Sequence, residues 1–337
     1  MSNRKKVLLP QPVAPEAVEL LHGSGVEVVE AVDPDPATVS PLLKNVQAIL
    51  LRTGIYLTRE LINEADELMM ISRTGGGVDN VDIQAATQAG VIVTSSVGVN
   101  TASVIEHALA LMLSLNKQLF RMDREVRSGN FKIRYRNLPR DLQDKCLGVI
   151  GFGRIGAGLA KACKQVFGMK IIANDDFLPE RVKEDYRQWV EFVTLDELFT
   201  GADVVSVHIP LTEKTAGLID RRYLDLMKPD GWLINTSRGG VIHEQDLIRA
   251  LQDGKLAGAG LDVFEREPPD KESSLLQLAN VIVTPHSAAL TKECVIRMAT
   301  SGAERILQLF AGLIPEKIAN PEVLKNKRWQ QLKEQGS

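Results

Sequence analysis

At 337 residues the chain is long enough for two domains, and a net charge of −3 offers no electrostatic footprint for a polyanion, so no nucleic-acid partner is expected. Its three cysteines, Cys146, Cys163 and Cys294, are scattered without C-x-x-C spacing, which indicates neither a disulfide framework nor a metal site and fits a reducing cytoplasm. The start lacks the apolar core of a signal peptide, and Glu106 and His107 interrupt the most apolar stretch, "ASVIEHALALMLSL", so no membrane association is expected.

From residue 5 to 95, the β-rich runs "KVLLP", "VEVVEAV", "AILLR", "LMMISR" and "VIVTSS" alternate with helix-like segments such as "APEAVELLHGSG" and "TRELINEAD". Strands alternating with helices predict parallel pairing, right-handed crossovers and a sheet covered on both faces. Next, Val104, Ala108, Leu111, Leu115, Leu119, Met122 and Val126 recur every three or four residues and predict one long helix. Ser103 with Glu106 reads as its capping box, which gives Glu106 a structural role, and Gly129 as its stop. Residues 130–142 read as a basic connector. A second α/β series follows in "CLGVIG", "KIIAND", "DVVSVHIP", "WLINTS", "LAGAGLDVF" and "VIVTP", before a return to helix from about residue 291 and a charged C-terminal stretch.

Two places in this second series carry chemistry. The strand "CLGVIG" runs into "GFGRIGAGLAKACKQV", so Gly151, Gly153 and Gly156 form G-x-G-x-x-G between a strand and a helix. The first glycine permits the turn, the second lets backbone approach a pyrophosphate, and the third lets helix pack on strand. Asp175 ends the next strand, where a carboxylate accepts from ribose hydroxyls and repels a 2′-phosphate, favouring NAD over NADP. Asp176 reads either as a second acidic contact or as a solvated turn residue. Further on, "WLINTSRGGVIH" ends an apolar strand with Arg238 before two glycines. A guanidinium keeps its charge at any ordinary pH, and its planar fork matches a carboxylate.

Together with the fingerprint, "RTGGGVDNVD", "NTASVIEHALALML", "VHIPLTEKTAGLID", "NTSRGG", "GAGLDVFEREPP" and "VTPHSAALTKE" resemble the NAD-dependent D-2-hydroxyacid dehydrogenase family, in its shorter D-3-phosphoglycerate dehydrogenase-like form. The resemblance implies an α/β architecture of two doubly wound parallel-sheet domains. A Rossmann cofactor domain, residues 101–288, is inserted into a flavodoxin-like substrate domain of residues 1–100 and 289–337, with the active site in the cleft and a homodimer built through the inserted domain. It implies NAD as cofactor, a small 2-hydroxy or 2-oxo acid as substrate, and catalytic roles for Arg238, Glu267 and His286. It places Arg154, Ile155, His208, Pro210, Thr215, Thr236 and Asp262 with the glycines and Asp175 at the cofactor, Asp262 as a neighbour of the nicotinamide amide. It also places Gly76 and Gly77 at the substrate carboxylate. The ends of the chain imply no appended regulatory domain.

The residues agree with those roles. Reducing a 2-oxo acid needs a cation for the carboxylate, here Arg238, and a proton donor, here His286, with Glu267 holding the imidazole. Arg52 and Arg73, at strand ends, read either as solvated ends of the small sheet or as binders of a second substrate anion, as in phosphoglycerate. Glyoxylate or hydroxypyruvate is the alternative substrate. An NAD(H)-sensing, corepressor-like interaction protein is the alternative of another class. The family often has Gly where Asp144 stands, a Trp near "NFKIRYR", and Pro at Asp176.

Overall fold

Short apolar runs bounded by turn formers become parallel strands whose side chains are buried on both faces of a sheet. The structure, a computed structural model, describes residues 4–136 and 138–330; Asn137 of the basic connector and residues 331–337 of the charged C-terminal stretch lie outside the described residues. The chain divides into two compact units, one of Met1–Asn100 and Leu290–Ser337, the other of Thr101–Ala289.

The first unit holds β1 (Lys6–Leu9), β2 (Glu27–Glu30), β3 (Ala48–Leu51), β4 (Met70–Arg73) and β5 (Ile92–Thr94). They form one parallel sheet in the order β2-β1-β3-β4-β5, the flavodoxin-like order. Alternation along β1 shows why both faces are covered. Leu8 joins Ile49, Leu61 and Ile71 on one side, while Val7 and Leu9 join Ala303 and Ile306 of the helix Lys292–Phe310 on the other. Burying each of these Val, Leu and Ile side chains contributes about 1.5–3 kcal/mol. Thr291 caps that helix through the Cys294 N–H, and the Gly302 carbonyl accepts from Ser72 Oγ at 2.9 Å, so a segment from the far end of the chain completes this sheet's cover.

The second unit holds β6 (Cys146–Ile150), β7 (Lys170–Asn174), β8 (Glu191–Phe192), β9 (Val204–Val207), β10 (Trp232–Asn235), β11 (Gly258–Leu261) and β12 (Val281–Val283). Their order, β12-β11-β10-β9-β6-β7-β8, is the Rossmann arrangement with a seventh strand at one edge. Every pairing is parallel, and the order reverses between β6 and β9, the switch point where such sheets bind ligands. The helix Thr101–Asn116 lies close over β11: a Cβ on Gly260 would stand 3.1 Å from Leu111 Cβ.

Two expectations change, and one strand is added. The helix begins at Thr101, so Ser103 is its third residue and is buried, and Ser103 and Glu106 do not form a box at its start. The predicted single helix is two, Thr101–Asn116 and Leu119–Arg127, broken where Gln118 adopts φ 51°. The apolar stripe is continuous in sequence, yet Leu111 and Leu115 are buried whereas Leu119 and Val126 are 51 and 50% exposed, so its two halves do not share one core. Gly129, at φ 84°, does follow the helix end. Finally, β8 is too short for its two residues to register as a strand in the sequence.

Candidate active site

The glycine turn is shaped by close approaches within the second unit. Gly151 has φ 88°, and a Cβ there would stand 2.7 Å from the His208 carbonyl oxygen. A Cβ on Gly156 would collide with the Gly151 carbonyl oxygen, so the helix Arg154–Phe167 packs directly on the turn. Gly153, which caps that helix, has open space where a Cβ would be, in front of the helix's unpaired first N–H groups. Arg154 is exposed and Ile155 half-buried. Asp175, just past β7, accepts from the Phe152 N–H through Oδ2 at 2.8 Å and from the Phe177 and Leu178 N–H groups through Oδ1 at 3.0 Å. Its carboxylate is therefore fixed beside the glycine turn, whereas Asp176 is an exposed turn residue.

His208 follows β9, its N–H donating to the Ile150 carbonyl at 2.7 Å and its Nε2 lying 2.9 Å from Ser206 Oγ. Burial of the ring pushes its pKa down to about 4, although part of the residue reaches the surface, so the ring is neutral at pH 7. Thr215 Oγ1 donates to the Pro210 carbonyl at 2.6 Å and accepts from the Thr212 N–H at 2.8 Å, closing the turn after β9. Thr236, just past β10, is buried, and its Oγ1 has no hydrogen-bond partner among the described residues. Such an orphaned hydroxyl is uncommon. With the open face of Gly153 and the fixed Asp175, it makes this edge fit a dinucleotide, which Gly151, Gly153, Gly156 and Asp175 would hold.

Asn235, at the end of β10, builds the turn that presents Arg238. Its Oδ1 accepts from the Ser237 N–H at 2.9 Å and the Ser237 hydroxyl at 2.8 Å, and its Nδ2 donates to the Arg238 carbonyl at 2.9 Å. Arg238 is half-buried, and its Nη1 donates to the Ser237 carbonyl at 2.7 Å. The glycine after it has a local reason: a Cβ on Gly239 would overlap the Phe264 carbonyl, so the loop leaving β11 runs against it. That loop carries Glu267. Glu267 Oε1 accepts from the Phe264 N–H at 3.2 Å, and Oε2 lies 2.7 Å from His286 Nδ1. Burial raises the Glu267 pKa, but the hydrogen bond and charge of His286, the Phe264 N–H and the charge of Arg238 outweigh it and leave the carboxyl below its usual value. Both members of the pair reach solvent, at 43% for the His286 side chain and 38% for Glu267.

His286 is held by its backbone as well. It adopts φ 51°, and its N–H donates to the Asp262 carbonyl at 2.8 Å and the Thr284 carbonyl at 3.0 Å. Asp262 is fully buried, with Oδ1 accepting from the Ser287 N–H and Oδ2 from the Ala288 N–H, both at 2.8 Å. The carboxylate thus moors the loop that carries His286.

In the first unit, Arg73 is only 7% exposed, which removes the solvated-end reading for it. Its Nε donates to Asn80 Oδ1 at 2.7 Å, and Asn80 Nδ2 donates to the Arg52 and Ile55 carbonyls at 2.8 and 2.9 Å. The guanidinium lies over the glycine loop, its Nη1 2.8 Å from where a Cβ on Gly75 would stand. Gly76 and Gly77 are half-exposed in the same loop. Arg52 is half-buried and donates from Nη1 to the Pro12 carbonyl at 2.8 Å. Among the described residues, no three His, Cys, Asp or Glu side chains gather as a metal site requires, and no helix is long and apolar enough to cross a membrane.

Residue chemistry alone singled out neither Asn235 nor Thr284. Asn235 carried a usable signal, an Asn two residues before Ser in a strand-ending turn. Thr284 carried none, because its partners come from separate segments.

The model of the D-isomer specific 2-hydroxyacid dehydrogenase, NAD binding domain, matches residues 109–288. The D-3-phosphoglycerate dehydrogenase of Archaeoglobus fulgidus is 38% identical over 308 residues, covering 91% of this chain and 58% of its own length. The chain thus spans less than two thirds of that relative. The glyoxylate reductase of Korarchaeum cryptofilum is 36% identical over 295 residues, covering 87% of this chain and 88% of that one. Among solved structures, a D-lactate dehydrogenase from Aquifex aeolicus complexed with NAD and lactic acid superposes with a TM-score of 0.81 at 32% identity, covering 95% of this chain and 98% of that one. Two parallel α/β sheets, a glycine turn at the switch point, and a family match spanning that turn and Arg238, Glu267 and His286 lead to one statement: this chain belongs to the D-isomer specific 2-hydroxyacid dehydrogenases.

Proposed function

We propose that the chain interconverts a 2-oxo acid and a D-2-hydroxy acid with NAD(H). The observation that carries this reading is the 2.7 Å pairing of His286 with Glu267, within the electrostatic reach of Arg238. Bound NADH supplies the hydride. Arg238 holds the substrate carboxylate and polarises the carbonyl, since a guanidinium fork presents parallel donors. With Nδ1 engaged by Glu267, His286 offers Nε2 to the substrate oxygen and donates a proton there in reduction, or takes it in oxidation. Glu267 orients the ring and favours its charged form.

The fixed Asp175 supports NAD over NADP, and residues 101–288 are assigned as the cofactor domain, with Arg154, Ile155, His208, Pro210, Thr215, Thr236 and Asp262 lining it. Residues 1–100 and 289–337 are assigned as the substrate domain. Within it, Arg52, buried Arg73, Gly76 and Gly77 are the anion binders, which favours a substrate with a second anionic group, such as 3-phosphohydroxypyruvate. The second reading, a glyoxylate or hydroxypyruvate reductase, is favoured by the near-full-length match to a glyoxylate reductase. Leu119, Phe120, Phe131, Tyr135 and Leu138, all more than half exposed, support a homodimer, and the free cysteines suit a cytoplasmic setting.

The test is NADH oxidation over a panel of phosphohydroxypyruvate, hydroxypyruvate, glyoxylate and phenylpyruvate, repeated with NADPH. Turnover with at least one acid and a preference for NADH is expected. No turnover with any acid, while NADH still binds, would favour a nucleotide-sensing interaction protein.

A further inference from the structure

We infer that His107, to which no part of the mechanism above gives a role, is a positioning residue for the His286 loop. The helix Thr101–Asn116 buries Val104, Ala108, Leu111 and Leu115, and its contact with Gly260 fixes it over β11. His107 stands one turn before Leu111 on this helix, with its side chain 22% exposed. Its Nε2 is 2.9 Å from Thr284 Oγ1 and 3.5 Å from Asp262 Oδ1.

The direction of these bonds follows from their hydrogens. Thr284 Oγ1 lies 2.5 Å from Asp262 Oδ1, and both Asp262 oxygens already accept main-chain N–H groups, so the single Thr284 hydrogen goes to Oδ1. Thr284 can then only accept from the imidazole, and His107 carries its hydrogen on Nε2. A chain runs from His107 through Thr284 to Asp262, and from Asp262 to the N–H groups of Ser287 and Ala288. His286 lies between Thr284 and Ser287 and donates its own backbone N–H to the Thr284 and Asp262 carbonyls. A helix from another part of the unit thereby sets the loop on which the proton donor sits. A buried network of this kind rigidifies only while every member is satisfied. Removing His107 leaves the Thr284 oxygen without its donor and takes away the side chain that ties Thr284 and Asp262 to the helix.

This inference rests on the role given to His286, and its test separates the two. His107→Leu removes the donor at similar bulk, and His107→Gln returns an N–H at comparable reach. In the protein without substrate, hydrogen exchange at Ser287 and Ala288 is expected to quicken about tenfold or more in His107→Leu and to return towards the wild-type rate in His107→Gln. In the NADH assay, His107→Leu is expected to lower kcat about tenfold with little change in the KM of the oxo acid, and His107→Gln to recover most of it. Exchange unchanged in His107→Leu overturns the inference. So does equal impairment of both variants with a matching loss of thermal stability, which marks His107 as packing alone. If the wild type turns over no 2-oxo acid, the proposed function fails, while the exchange rates still decide whether His107 moors the loop.

Discussion

A guanidinium and an ammonium carry the same charge in different shapes, and Arg238 separates the two properties. Arg238→Lys is expected to bind NADH normally yet lose about 2–4 kcal/mol of transition-state stabilisation, roughly thirty-fold to a thousand-fold in kcat/KM. Arg238→Ala should lose more; a lysine variant with most of the wild-type kcat/KM would return Arg238 to a merely structural turn. For Glu267 the expectation is a shift in pH. Because its carboxyl is held low, it remains negative across the neutral range, and its pairing contributes stability above the ordinary carboxylate pKa that is lost as pH falls through the lowered value. Glu267→Gln removes that charge beside the imidazole and favours the neutral ring. Reduction should then fade, and oxidation begin, at a lower pH than in the wild type; unchanged profiles in both directions would take Glu267 out of the chemistry. The pairing of Glu267 with His286 was legible through the family resemblance, whose motifs carry both residues. The mooring of His286 was not, since Asp262 and Thr284 act on main-chain groups that only the folded loops bring together.

Short elements were read more faithfully than the long one. Every strand from β1 to β5 falls inside a run marked in the sequence: the inner strands, buried on both faces, leave little room for polar residues, while the edge strand β2 keeps Val28 and Val29 between two exposed glutamates. The helix after residue 100 was misread for the opposite reason. Periodicity records where apolar side chains lie around a helix, but not what covers them, and beyond Gln118 this chain leaves several exposed. The turn into β6 carries a readable strain. Asp144, where the family often has Gly, adopts φ 60° and is exposed. Asp tolerates that region better than most residues, but Gly meets no steric cost there. Asp144→Gly is expected to stabilise the protein by about 0.5–1 kcal/mol, visible as a higher urea midpoint at unchanged slope. A lower midpoint would show that the aspartate side chain holds the turn.

Alternating strands and helices were enough to announce two parallel sheets, because crossovers in such sheets have one hand and lead the chain onwards. They did not dictate the order of strands, which came with the resemblance. The second unit, Thr101–Ala289, is continuous in sequence and carries hydrophobic clusters on both faces of its sheet. A fragment of residues 101–289 is therefore expected to unfold cooperatively and to bind NADH, read by circular dichroism and by nucleotide fluorescence. A fragment that stays molten, or folds without binding, would count against an autonomous cofactor unit. The first unit has no such independence, because the helix Lys292–Phe310 covers a face of its sheet. On a ribosome this separates beginning from completion. At roughly 5–20 residues per second, the five strands wait some tens of seconds for the helix that shelters Val7, Leu9 and Leu50, and the middle of the chain can finish folding first. Of the two units, the one whose strands are made first is the one completed last, and in that interval its uncovered sheet is exposed to chaperones and to aggregation.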